Sequence, residues 1–357
     1  MGGGWGEGKP LERLYPSPAA CRLLSLICQT RNSHAPGVVD VSYAILFPGQ
    51  GSQAVGMGAD LFQSRPDLLG DPADAVLGWS LRSVCLDGPA DILTRTEHAQ
   101  PALYALSYAL WEEFGSTAGA QPAAAAGHSL GEYTALAAAG VFSFIDGLRL
   151  VAARGRAMAA ASHVEPSGMA ALIGADVAEA EALSATRRDE GGRLWVANVN
   201  APGQVVVAGG VDDLEWVGSH AVEFGIRRVI PLKVAGAFHS PFMAGAAEAL
   251  GEALDGVEVG LPAFPVWSNA TAAAYGPDVK ATLVAQLTAP VRFADLLTDM
   301  SWVVGGRFVH IGPGDVTAGL AKRSVEGAEA ISVSSLGDVE DGAAWVARSS
   351  ELSGTVD

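Results

Sequence analysis

The sequence predicts an α/β protein with a ferredoxin-like (βαββαβ) subdomain set into it. Three observations carry this expectation. From residue 41 onward, short apolar runs alternate with helical patterns. The run Ala123–Gly127 passes through Gly127-His128-Ser129-Leu130-Gly131 straight into an Ala/Leu-rich helical pattern, the strand, sharp turn and helix of a nucleophile elbow. Between residues 168 and 235, strand-like and helix-like segments succeed one another as β-α-β-β-α-β.

Taken in order, residues 1–38 are rich in Gly, Pro, Ser and Arg without a sustained period, and read as a disordered tail or linker. Val41 to Phe47 reads as a buried strand. It stops at Pro48-Gly49-Gln50-Gly51-Ser52-Gln53, where glycines let backbone N–H groups approach a ligand. Pro101 to Phe114 is the clearest helix of the next stretch, with Leu103, Leu106, Leu110 and Phe114 on one face. The elbow and its helix (Leu130 to Ala139) follow, then a helix from Ile145 to about Ser162. In the subdomain, Met169–Ile173 is a strand and Val177–Arg188 a charged amphipathic helix. Leu194–Asn198 and Gln204–Ala208 are strands joined across Pro202-Gly203. Asp212–Phe224 is a helix opened by an acid, and Arg227–Val234 the closing strand. The expected division is a catalytic core of 39–164 and 236–335, a subdomain of 165–235, and an acidic C-terminal tail of 336–357.

Composition bounds the function. Of 357 residues, 49% are apolar and 17% charged, enough for a substantial core and too apolar for global disorder. No run of about 18 uncharged apolar residues occurs, so no membrane span is expected. A net charge of −17 argues against nucleic acid and anionic membrane as partners. Cys21, Cys28 and Cys85 are odd in number and lack metal-ligand spacing, which suits a reducing, cytoplasmic setting. Leu23–Cys28 is a poor export signal, because Arg22 abuts it and Glu7 and Glu12 spoil the basic region.

At the elbow, Gly127 and Gly131 keep Cβ atoms out of a tight turn, so Ser129 can be strained and its hydroxyl exposed. The following helix start points free N–H groups toward an oxyanion beside it. A serine needs a base to act as a nucleophile at neutral pH, and seven histidines are available. His128 adjoins Ser129, but successive side chains diverge at such a turn. His239 falls in the loop Gly236–Met243 after the last subdomain strand, where catalytic groups concentrate. Position alone leaves it one candidate among several.

Seven motifs then occur in register: Phe47-Pro-Gly-Gln-Gly-Ser-Gln53, Gly127-His-Ser-Leu-Gly-Glu132, Arg154, Asn198-Val-Asn-Ala-Pro-Gly-Gln204, Phe238-His239-Ser240, Gln286-Leu-Thr-Ala-Pro-Val291 and Ile311-Gly-Pro-Gly314. Over residues 41 to 335 the chain resembles the malonyl-CoA:acyl carrier protein transacylases, including the acyltransferases of polyketide assembly lines. The resemblance implies an α/β-hydrolase-like core around the ferredoxin-like insertion. It implies Ser129 as nucleophile and His239 as base, with an oxyanion hole from the N–H groups of Leu130 and Gln50. It further implies that a backbone carbonyl near Gln286 orients the histidine in place of a triad acid. Asn200 and Gln286 are expected among the substrate-binding residues.

By the same resemblance Arg154 grips the free carboxylate of a malonyl group, a task for which a planar guanidinium is suited. The implied reaction is ping-pong transfer of malonyl from malonyl-CoA, through an ester on Ser129, to the phosphopantetheine thiol of an acyl carrier protein in fatty acid or polyketide biosynthesis. No metal or redox cofactor is implied, and the enzyme is expected to be a monomer. Carrier proteins of this kind are acidic, so docking needs a local basic patch. Arg187/Arg188, Arg227/Arg228 with Lys233, and Lys322/Arg323 are candidates by clustering. Unbranched malonyl is the expected unit. Leu130 stands where methylmalonyl-specific relatives tend to carry Gln, and Phe238 stands where they tend to carry Ser, although Gly236 departs from a His frequent in malonyl-specific relatives. The alternative is a carrier-protein thioester hydrolase with water as acceptor. Arg154 argues against it, since clearing stalled acyl groups requires no carboxylate clamp.

Overall fold

The computed structural model describes residues 42–348; residues 1–38, expected to form a tail, lie outside them. The described strands are, in chain order, β1 (Ala44–Phe47), β2 (Ala124–Gly127), β3 (Ser167–Ile173), β4 (Leu194–Ala201), β5 (Gln204–Gly210), β6 (Arg228–Pro231), β7 (Val291–Arg292), β8 (Arg307–Ile311) and β9 (Glu329–Val333). They form two sheets.

The first is parallel, with order β2-β1-β8-β9. Its inner strand β1 reads as a continuous apolar run because both faces are covered. Ile45, Phe47 and Ala125 join one apolar cluster, which takes in Leu103, Leu106, Leu110 and Phe114 of the helix Thr96–Ala118. The alternate residues Ala44, Leu46, Ala124 and Ala126 join another, with Phe293, Leu297 and Met300 of the helix Phe293–Val304. The helix expected from Pro101 begins at Thr96 instead. Burial of Thr96, Ala99 and Gln100 outweighs the one ladder hydrogen bond that Pro101 removes.

The second sheet has order β6-β3-β5-β4-β7. Its first four strands pair antiparallel and carry the helices Val177–Asp189 and Val211–His220 between them, in the expected β-α-β-β-α-β order. One face packs Leu172, Val205 and Val207 under these helices. The other packs Met169, Val206 and Ala208 onto the main core. The fifth strand lies outside the expected boundaries: β7 joins β4 in parallel, with Asn198 opposite Val291. A two-residue strand has no periodicity to read, so sequence patterning stops short of it.

The expected acidic tail of 336–357 is corrected over its first part. A 3₁₀ turn, Leu336–Asp338, leads into a helix, Val339–Ala347, packed on the helix Thr96–Ala118. Val339, Ala343 and Val346 form a buried stripe at i, i+4 and i+7, while Glu340 and Asp341 occupy the first turn, where the helix dipole favours acids. Residues 349–357 lie outside the description. No helix among the described residues is long and apolar enough to cross a membrane.

Candidate active site

β2 delivers the chain to the elbow at Gly127, and the helix Gly131–Ala138 takes it away. A Cβ on Gly127 would sit 1.9 Å from the carbonyl carbon of Gly131, and one on Gly131 would sit 2.4 Å from the Phe47 oxygen, so neither position admits a side chain. Ser129 between them has φ 51°, a left-handed conformation that costs a non-glycine residue about 1–2 kcal/mol. Two amide side chains hold it there. Its N–H donates to Asn269 Oδ1 at 2.6 Å, and its carbonyl accepts from Gln286 Nε2 at 2.9 Å.

Ser129 Oγ lies 2.8 Å from His239 Nε2. The other ring nitrogen, Nδ1, is 3.0 Å from the backbone oxygen of Gln286, which can only accept. That contact puts the imidazole proton on Nδ1 and leaves Nε2 free to accept the serine proton. His239 also has a positive φ, 56°, so both members of the pair sit on strained backbone. Burial, and then the charge of Arg154, push the His239 pKa down to about 3, keeping the ring neutral over the physiological range.

Arg154 comes from the helix Phe144–Val164 and is 1% exposed. Its Nη2 donates to Ser129 Oγ at 3.1 Å and to Gln286 Oε1 at 3.0 Å, and its Nη1 to Gln100 Oε1 at 2.7 Å. Its Nε has no partner among the described residues, and none of these acceptors is a carboxylate. A guanidinium this deeply buried and bonded only to neutral groups retains capacity for an anion. Gln100 continues the chain of contacts to Thr96, whose hydroxyl donates to Gln50 Oε1 at 2.9 Å, tying the Gly-rich loop to the arginine.

A cavity of about 210 Å³ opens over Ser129, lined by Gln50, Leu130, Arg154, Asn200, Phe238 and His239. His128 turns away from the hydroxyl, and its Nε2 meets Asn200 Oδ1 at 2.7 Å. Gln286, expected among the substrate-binding residues, touches Arg154. It is fully buried behind the cavity, with its side chain spent on Ser129, Arg154 and Glu132. Three further residues of the site, Gln100, Glu132 and Asn269, carry no such signal in the sequence. Only Glu132 lies in a motif, as its last residue, and an acid in the first turn of a helix is ordinarily a solvated partner of the helix dipole.

The description of acyl transferase domains matches residues 44–341. The chain is 41% identical to the malonyl CoA-acyl carrier protein transacylase of Bacillus subtilis, over 82% of this chain and 93% of that one. It is 38% identical to a polyketide biosynthesis malonyl CoA-acyl carrier protein transacylase of the same organism, over 80% and 98%. Among solved structures, the malonyl-CoA:acyl carrier protein transacylase of Xanthomonas oryzae has TM-score 0.81 at 35% identity, covering 86% of this chain and 99% of that one. A malonyl-transacylase solved with its type II polyketide acyl carrier protein has TM-score 0.78 at 36% identity, covering 84% and 99%.

Proposed function

The chain belongs to the malonyl-CoA:acyl carrier protein transacylase family, and on that premise we propose that it transfers malonyl from malonyl-CoA to the phosphopantetheine thiol of an acyl carrier protein. One observation carries the reading: a serine hydroxyl lies within hydrogen-bond reach of both a neutral histidine and a buried arginine that has no carboxylate partner. Ser129 Oγ gives its proton to His239 Nε2 and attacks the thioester carbonyl. The oxyanion accepts hydrogen bonds from the N–H groups of Leu130 and Gln50, both of which line the cavity. His239 returns the proton to the departing CoA sulfur, leaving a malonyl ester on Ser129. In the second half, the carrier's thiol gives its proton to His239 and attacks that ester, and Ser129 leaves with the proton. No metal or redox step enters this cycle.

Arg154 supplies selectivity by pairing with the free carboxylate of the malonyl group. A monoacid would leave its guanidinium without a directly bonded carboxylate, and breaking a buried pair by removing one partner costs about 3–5 kcal/mol. A hydrolase clearing carrier proteins would have no use for such a cation. Phe238 narrows the cavity beside His239 and disfavours an α-branched unit. The fold that accompanies this function is an α/β-hydrolase-like core with a ferredoxin-like insertion, supported by the parallel sheet and by the strand order β6-β3-β5-β4. We take the enzyme to act in the cytoplasm as a monomer, without nucleic acid or membrane partners.

Of the three basic clusters, the second suits carrier docking best. Arg187 is engaged by Asp213 and Glu190, and Arg188 by the Leu194 carbonyl. Arg227, Arg228 and Lys233 are exposed and make no ion pair among the described residues, and Lys233 lines the catalytic cavity. The Lys322/Arg323 cluster does not line that cavity.

The test is incubation with radiolabelled malonyl-CoA. A stable acyl-enzyme is expected, absent from Ser129→Ala and discharged by holo-carrier protein. Steady malonate release without carrier would indicate a hydrolase, and a wild type that takes no label would refute the transfer reading.

A further inference from the structure

We propose that Glu132 is the positioning residue of this site: one buried carboxylate that sets Ser129 and His239 in register through Asn269 and Gln286. The inference rests on the nucleophile and base assignment above. Glu132 sits fully buried in the first turn of the helix Gly131–Ala138. Its Oε2 accepts from the Asn269 N–H at 2.9 Å and from Gln286 Nε2 at 2.8 Å, and its Oε1 accepts from the Tyr275 hydroxyl.

Two of the three residues it grips, Asn269 and Gln286, reach the elbow. Asn269 takes the Ser129 N–H on Oδ1 and gives Nδ2 to the Gly127 carbonyl at 2.7 Å. Gln286 gives Nε2 to the Ser129 carbonyl, receives Arg154 on Oε1, and presents its backbone oxygen to His239 Nδ1. The elbow, the segment around Asn269 and the segment around Gln286 are far apart in sequence and meet at this carboxylate.

Burying a carboxylate carries a desolvation penalty of several kcal/mol, so an apolar side chain would be the cheaper filler. What a filler would not do is satisfy three convergent donors. Without them, a backbone N–H and a side-chain amide are left as buried, unmade hydrogen bonds. The two contacts that oppose relaxation of the left-handed φ of Ser129 would also lose the carboxylate that anchors Asn269 and Gln286.

Placement and charge can be separated experimentally. In Glu132→Gln the side-chain oxygen can still accept from both Asn269 and Gln286, with the NH₂ group toward the Tyr275 oxygen. Glu132→Asp keeps the charge but withdraws it by one methylene, about 1.5 Å. The readouts are malonyl transfer and the rate of Ser129 modification by phenylmethanesulfonyl fluoride, which needs the serine and histidine but not Arg154. Glu132→Gln should stay within ~10-fold of wild type in both rates, the scale of one perturbed hydrogen bond. Glu132→Asp should lose ~10²-fold in both, as a misplacement of about 1 Å at a reacting group can cost. Wild-type rates in Glu132→Asp, or equal losses in the two variants, would overturn the proposal. Should Glu132→Asp not fold, Asn269→Ala cuts only one arm and should slow sulfonylation likewise; an unchanged rate there would overturn it as well. If wild type accepts no malonyl, the transfer reading falls while the sulfonylation comparison still decides the role of Glu132.

Discussion

Polar groups are used in opposite ways behind Ser129 and on the subdomain that faces it. Gln100, Glu132, Arg154, Asn269 and Gln286 are all buried, and each is bonded to another member of the group or to the elbow itself. On the subdomain, Arg187 meets Asp213 and Glu190 near the surface, and Arg227 and Arg228 extend into solvent without ion-pair partners among the described residues. In the first region each group lost leaves a buried partner unsatisfied, so effects are amplified. In the second, water screens each charge, and a single pair is worth about 0–1 kcal/mol. Chemistry that depends on tenths of an ångström occupies the first kind of environment. Recognition of a partner that must arrive and leave suits the second.

The largest break in this contrast is expected from Arg154→Ala. Malonyl transfer should fall by ~10²–10⁴-fold, the equivalent of about 3–5 kcal/mol for an unpaired buried charge, while acetyl transfer is spared or improved. Rates with malonyl-CoA and acetyl-CoA measured side by side decide it, and equal losses would make Arg154 a purely structural member of the buried group. Phe238, on the cavity wall beside His239, should give an intermediate effect. Wild type should prefer malonyl-CoA over methylmalonyl-CoA in direct competition, and Phe238→Ser should narrow that preference by ~10-fold or more, as relieving about 1–3 kcal/mol of overpacking would. An unchanged ratio would remove Phe238 from selectivity. The smallest effect belongs to the exposed side. Arg227→Glu with Arg228→Glu should raise KM for the carrier protein several-fold, by about 1 kcal/mol, more at low salt than at high. Acylation by malonyl-CoA should be unchanged. An unaltered KM would move the docking surface elsewhere.

The legibility of the sequence follows the same division. The elbow was readable because Gly127, Ser129 and Gly131 are adjacent and each has a local reason to be there. The order of strands and helices from Ser167 to Pro231 was readable because they alternate period and turn chemistry along a continuous stretch. Glu132, Asn269 and Gln286 were not readable as a unit, since contacts spanning 137 and 154 residues leave no local pattern. The helix Val339–Ala347 escaped for a different reason: acidic residues around a three-residue stripe gave the segment the composition of a tail.

The pairing of β4 with β7 bears on how this architecture can be recombined. The five-stranded sheet is completed by Val291 and Arg292, more than fifty residues beyond the subdomain's expected end at 235. A chimera that exchanges 165–235 alone would ask Asn198 and Val199 to find backbone partners on a host strand of different origin. The natural module for exchange runs on to residue 292, and that module carries His239, Asn269 and Gln286 with it. In this protein, the proposed docking surface and the proposed base would be inherited together.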